Sequence, residues 1–148
     1  MATLYTTRKI DKEDFDKKYL FLLKQLTTIE VDKISKETFN TFIDNLNDNH
    51  QIYVIEDSTK NTIIGTITLL IEPKFIHTMG LVSHIEDVVV DENYRGLKLS
   101  KLLINKAIEV SKHLGCYKVT LDCSNTNKPV YEKSGFINNG NQMSLYLS

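Results

Sequence analysis

A chain of 148 residues with a net charge of −1, 41% hydrophobic and 25% charged residues, is long enough to bury a sizeable core as one domain. That balance excludes an intrinsically disordered chain and argues against a nucleic-acid backbone as partner. No apolar run reaches the length of a membrane span, and the start Met1-Ala2-Thr3-Leu4-Tyr5-Thr6-Thr7-Arg8 lacks the apolar core of a signal peptide. The two cysteines, Cys116 and Cys123, lie too close in one strand pattern to bridge readily, so the expected compartment is the reducing cytoplasm.

In chain order, Thr3 to Arg8 is compatible with a short first strand. Asp11 is a good N-cap for a helix of about residues 12 to 26, with Phe15, Tyr19, Leu22, Leu23 and Leu26 as its buried stripe. Ser35 caps a second helix with Phe39, Phe42, Ile43 and Leu46 inward. Gln51 to Glu56 and Thr62 to Glu72 form a hairpin around the turn Asp57-Ser58-Thr59-Lys60-Asn61, with Gly65 marking a bulge or a close approach. Pro73 ends that arm, and Lys74 to Ser83 is a loop or its extension.

The β-branched run Ile85 to Val90 predicts a largely buried strand, ended by Asp91-Glu92-Asn93. Leu99, Leu102, Leu103, Ala107, Val110 and Leu114 then make one apolar stripe of a helix that closes at Gly115. Tyr117 to Cys123 is a following strand, so strand, helix and strand form one βαβ unit. Asn127 before Lys128-Pro129 predicts a cap and a short helix to Lys133, stopped by Gly135. Phe136 to Asn138 and Gln142 to Leu147 predict a last hairpin around Asn139-Gly140. The class is α/β (α+β): a mixed central β-sheet with helices on both faces around one βαβ unit.

Four places carry possible chemistry. Arg95-Gly96-Leu97-Lys98-Leu99-Ser100 puts a cation and a glycine where a helix begins, and a helix start offers unpaired N–H groups and a positive dipole end to a phosphate. The same residues also suit an ordinary strand-to-helix connection. Glu86 and Asp87 are adjacent acids in an apolar strand, where alternation sends them to opposite faces. The alternative is a strand end at which one acid caps a helix and the other meets solvent. Asp122 is a third acid, in Val119-Thr120-Leu121-Asp122-Cys123. Acids at the C-terminal ends of neighbouring parallel strands meet in a common crevice, so Glu86 and Asp122 are expected to share a pocket that suits a cationic amine. Tyr131, in Val130-Tyr131-Glu132-Lys133-Ser134-Gly135-Phe136, is either a phenolic proton donor or an amphipathic surface tyrosine. His84 beside the acids lacks metal-ligand spacing, so no metal is expected, and Cys123 has no histidine placed beside it by sequence.

The helix-start run resembles motif A of the GCN5-related N-acetyltransferases (GNAT), Arg/Gln-x-x-Gly-x-Gly/Ala, with Arg95 in place, Lys98 where the first glycine is usual and Ser100 where Gly or Ala is usual. With His84-Ile85-Glu86-Asp87, Leu121-Asp122-Cys123 and the Tyr131 segment, the chain over about residues 70 to 147 resembles the eukaryotic glucosamine 6-phosphate N-acetyltransferases. The resemblance implies a GNAT fold and acetyl-CoA as cosubstrate, held by Val88, Val89, Val90, Arg95, Gly96, Leu97, Lys98, Leu99, Ser100, Lys101, Asn127 and Tyr131. It implies transfer of acetyl to the 2-amine of glucosamine 6-phosphate by direct attack, a step of UDP-N-acetylglucosamine synthesis. In that scheme Glu86 is the general base, Asp122 orients the amine, Asp87 binds a sugar hydroxyl and Tyr131 assists the leaving thiolate. Asn127 contacts the cofactor, caps the helix, or does both. The family is usually a homodimer in which the other chain helps form the sugar site. It also leads one to expect an arginine in the final strand, where this chain has Ser144-Leu145-Tyr146-Leu147. Lys74, His77 and Lys133 are the substitutes expected to hold the sugar phosphate. A related acetyltransferase acting on another amine or a peptide N-terminus, and a non-catalytic acyl-CoA-binding module, are the alternatives.

Overall fold

The computed structural model describes residues 5–148; Thr3 and Leu4 of the expected first strand lie outside the described residues. Five strands form one sheet in chain order: β1 (Thr7–Lys9), β2 (His50–Asp57), β3 (Thr62–Pro73), β4 (Leu81–Val90) and β5 (Lys118–Leu121). The pairs β1–β2, β2–β3 and β3–β4 are antiparallel, and β4–β5 is parallel. Helix α4 (Leu99–Leu114) crosses over between the parallel strands, as the βαβ pattern requires. Helices α1 (Tyr19–Leu23) and α2 (Lys36–Asp44) cover the other face, a one-turn α3 (Ile76–Met79) joins β3 to β4, and a short α5 (Lys128–Glu132) follows β5. The expected mixed sheet with helices on both faces is present.

Alternation along the strands builds two cores. Tyr53, Ile55, Ile67 and Leu69 pack with Leu99, Leu103 and Ala107 of α4, while Ile52, Val54 and Ile63 pack with Leu20, Leu22 and Phe39. Gly65 satisfies both expectations placed on it. A Cβ there would stand 3.4 Å from the Leu103 side chain and 3.5 Å from that of Ile55, and the register slips beside it, so α4 seats closely on a locally bulged strand.

Several element predictions are corrected. Residues 12 to 26 do not form one helix. Asp11 caps as expected, in a capping box with Asp14, but a 3₁₀ turn Lys12–Lys17 ends at Lys18 in the left-handed region (φ 63°) before α1 starts. The cause is the fully buried Asp14 carboxylate, which takes two hydrogen bonds from Arg8 at 2.9 and 2.8 Å; Arg8 also reaches Glu56 at 2.8 Å. This ion network ties the segment to β1 and β2 and overrides the apolar periodicity, leaving Leu26 43% exposed. In α2, Phe39 is buried but Phe42 is exposed and lies edge-on to His50. On α4 the buried line is Leu99, Leu103, Ala107 and Ser111, a four-residue spacing, with Ile104 beside it; Leu102 sits on the flank. The Ser111 hydroxyl is satisfied by donating to the Ala107 carbonyl at 2.7 Å. Gly115 (φ 83°) ends α4 as expected, with Cys116 N–H bonded to the Ser111 carbonyl at 2.9 Å.

The final hairpin is absent: residues 133–148 contain no helix or strand. Ile137, Met143, Leu145, Tyr146 and Leu147 are all more than four-fifths exposed. A two-stranded hairpin with no core to cover is only marginally stable in water, and among the described residues β5 takes no strand on its outer side. No helix among the described residues is long and apolar enough to cross a membrane.

Candidate active site

The site begins where two strands part. Parallel pairing joins Val82–Ile85 to Lys118–Leu121 and stops there, whereas β4 continues to Val90. Just past that point β4 bulges. Glu86 faces Thr68 and Val89 faces Thr66, so Asp87 and Val88 together oppose the single residue Ile67, and Asp87 takes a left-handed φ of 51°. The bulge corrects the expectation that Glu86 and Asp87 point to opposite faces, because strict alternation fails across it. Both acids are exposed, at the mouth of the wedge between β4 and β5.

The wedge brings the three acids together electrostatically. Glu86 is held above the usual carboxylate range, first by lost hydration, then by the like charges of Asp87 and Asp122, with His84 opposing. Asp122 lines the cavity along β5, and Glu86 feels its charge from the end of the neighbouring strand. Two residues before Glu86 on the same strand face, His84 spans three strands: Nε2 is 2.9 Å from Glu72 of β3 and Nδ1 is 3.2 Å from the Thr120 hydroxyl of β5. Glu72 also pairs with Lys74 at 3.2 Å, and these partners, His84 first, hold its carboxyl below the usual range. This string was not foreseen; its signal in the sequence is the spacing of His84 and Glu86, which places both on one face.

The second half of the site is the start of α4. Gly96 (φ 87°) and Lys98 (φ 61°) both lie in the left-handed region, so the chain enters the helix through a tight loop. Among the described residues, the backbone N–H groups from Gly96 to Lys101 find no acceptor within the chain. A cavity of about 540 Å³ opens over them, lined by Arg95, Lys98, Lys101 and Lys133 together with Gly96 and Ser100, and by no acid. Four cations, a row of free N–H donors and a helix dipole make this an anion site suited to a pyrophosphate. Val90 lines it and the buried Leu99 forms its floor, while Leu97 points to solvent at 55% exposure. Val88 is half-buried against the α4 core and Val89 is buried in the opposite one, so the two straddle the sheet beside the bulge.

Helix α5 divides this cavity from a larger one of about 770 Å³ along the open side of β5. Tyr131 lines the larger space with Asp122 and Cys123, its ring edge-on to Phe136 at 6.1 Å, and burial raises its phenol above the ordinary value with help from Cys123. Ser134 lines both cavities. Asn127 does not cap α5 with its side chain; Ser124 accepts from the Asn127 N–H at 3.2 Å instead. Of the cations expected near a sugar phosphate, Lys133 belongs to the anion cavity, Lys74 pairs with Glu72, and His77 stacks on Tyr117 with ring centres 4.0 Å apart.

The acetyltransferase (GNAT) family model matches residues 11–136. A glucosamine 6-phosphate N-acetyltransferase of Arabidopsis thaliana is 40% identical over 150 residues, covering 99% of each chain. Glucosamine 6-phosphate N-acetyltransferase 1 of Dictyostelium discoideum is 42% identical over 143 residues, 95% of this chain and 89% of that one. The crystal structure of the Arabidopsis thaliana enzyme superposes with a TM-score of 0.94 at 39% identity, covering 99% of this chain and all of the other.

Proposed function

We propose that this chain, which belongs to the acetyltransferase (GNAT) family, transfers the acetyl group of acetyl-CoA to the 2-amine of glucosamine 6-phosphate. The observation that carries it is one strand that bears a raised carboxylate, Glu86, with Asp87 beside it and the charge of Asp122 upon it, and that runs on to Val90 in the lining of a cation-rich cavity over a helix start. Such a pairing takes an anionic donor on one side and a cationic amine on the other. The full-length relatives supply the particular sugar.

Each residue then has a task. Arg95, Lys98, Lys101 and the free N–H groups at the start of α4 bind the pyrophosphate of the donor. The three acids draw in the ammonium, and Glu86, whose raised pKa brings it nearer to the task of a base, takes the proton. The freed amine forms the new C–N bond as the C–S bond breaks. Tyr131, protonated at neutral pH, gives its proton to the departing thiolate, and the second proton that nitrogen sheds as the amide forms restores the phenol through solvent. Peptide N–H groups at the Asp87–Val88 bulge polarise the thioester carbonyl. Asp122 orients the amine and Asp87 holds a sugar hydroxyl.

We assign the sugar phosphate to the β3–β4 connection, where Lys74 and His77 lie, in place of the arginine that the final segment lacks. The protein is proposed to act in the cytoplasm as a homodimer. The exposed apolar tail of Met143, Leu145, Tyr146 and Leu147 and the open side of β5 are the surfaces that a second copy covers. Thiol release from acetyl-CoA tests the substrate directly. Glucosamine 6-phosphate is expected to exceed unphosphorylated glucosamine by at least ~10²-fold in kcat/KM, about 2.7 kcal/mol of transition-state binding. Near-equal values reject the phosphate assignment.

A further inference from the structure

Asp57 is an acid that the chemistry above does not use. It ends β2, is 5% exposed, and has no ion-pair partner among the described residues. Its carboxylate accepts from the Thr59 N–H at 3.1 Å, from the Thr59 hydroxyl at 2.6 Å, and from the phenol of Tyr94. These donors, the Thr59 hydroxyl first and the Tyr94 phenol next, favour the charged form and hold the carboxyl below the usual carboxylate range. So complete a cradle for one carboxylate calls for a reason.

Its third donor supplies the reason. Tyr94 immediately precedes Arg95, and its ring lines the cation-rich cavity. The ring is fixed by Tyr5, edge-on at 6.3 Å, and by the Lys60 ammonium 5.7 Å from its centre. Beyond Tyr94 the backbone of Arg95 to Lys98 makes no backbone hydrogen bond among the described residues until Leu102 N–H reaches the Lys98 carbonyl at 3.4 Å. The loop that presents the free N–H groups is thus suspended between Tyr94 and the buried Leu99. A second tie stops short of it: Gln25 bonds to Asp91 at 3.3 Å and accepts from the Glu92 N–H at 2.9 Å.

We propose that Asp57 is a positioning residue for donor binding: through Tyr94 it holds the Arg95–Lys98 loop in the shape that meets the donor's pyrophosphate. The role rests on the acetyl-CoA assignment. It sits in the β2–β3 turn, away from the amine side of the site, so it governs the donor and leaves the acceptor alone.

Calorimetric titration with CoA and steady-state kinetics on the whole chain test it, with Tyr94→Phe, Asp57→Asn and the double variant. Tyr94→Phe keeps the ring and removes only the bond to Asp57. Each single change is expected to weaken CoA and raise the donor KM by about five- to tenfold, with kcat and the sugar KM within about twofold. The double variant is expected to be no worse than Tyr94→Phe, because both act through one bond. Variants that bind CoA as the wild type does, whatever their melting temperature, overturn the role, and so does full additivity. A wild type that binds no CoA overturns the donor assignment itself, and this role with it.

Discussion

The two sides of the sheet differ in what covers them. Around β2 and β3 both faces are packed, and Val54, Ile55, Ile64, Ile67 and Leu69 are entirely buried. Around β4 and β5 the α4 face is packed; on the other, Val89 is still covered, but Leu70 of the adjoining β3 is 39% exposed and Glu86, Asp87 and Asp122 meet solvent. On the first side the buried Asp14 is paired with Arg8 through two hydrogen bonds, whereas the acids of the second repel one another. One side holds the fold, and the other keeps charges in an arrangement that folding alone disfavours, as functional sites do.

Deleting atoms on the packed side gives the largest effect. Leu103 is fully buried between α4 and Gly65, so Leu103→Ala is expected to lower stability by about 2–5 kcal/mol in chemical denaturation. Donor and acceptor KM in the folded fraction should stay near wild type. A large change in KM without loss of stability would blur the division between the sides.

On the open side, Glu86→Gln keeps shape and removes the base. Turnover is expected to fall ~10²-fold or more, about 2.7 kcal/mol or more. In the wild type the acidic limb of kcat/KM should lie above the ordinary carboxylate range, as the raised pKa requires, and should vanish in the variant. A variant with full turnover would transfer the base to Asp122. Arg95→Ala comes next: CoA should bind more weakly by about 1.5–3 kcal/mol, the worth of a charge-assisted hydrogen bond, and calorimetry measures it. Unchanged affinity would move the pyrophosphate away from the start of α4.

Much of this division was legible in the sequence, for a physical reason. The strand-length apolar runs of β2 and β3, the Gly115 stop and the βαβ order are local signals with one outcome, and the Arg95–Ser100 run could only sit where the helix begins. The misses arise where long-range charge or pairing overrides local pattern. Arg8 lies far from Glu56 in sequence, so its network and the break at Lys18 could not be read from apolar spacing. Alternation predicted opposite faces for Glu86 and Asp87, but a bulge depends on register with β3, which no run within β4 encodes. The tail has strand composition, yet composition does not provide a partner strand, and Tyr146 ends exposed.

The smallest effect contrasts two acids of the open face, Glu72 and Glu86. The folded state holds Glu72 below its ordinary 4.5, chiefly through His84 and then Lys74. Its contribution to stability is therefore present above pH 4.5 and lost as pH falls through the depressed folded value. Glu86 is shifted the other way by burial, Asp87 and Asp122. Folding favours its protonated form, so stability declines as pH rises from 4.5 through the raised value, and at neutral pH its charge is a burden. Glu72→Gln should therefore lower the melting temperature at pH 7, and Glu86→Gln should raise it. Each difference should fade as pH falls below the folded value of its carboxyl, where the wild-type group is protonated and matches the amide in charge. Solvent screens both carboxylates, so each change should stay within about 2 °C. Melting curves across that pH range decide the matter. If Glu86→Gln melts below wild type at pH 7, Glu86 is a stabilising surface acid, and the open face is not held at a cost to folding.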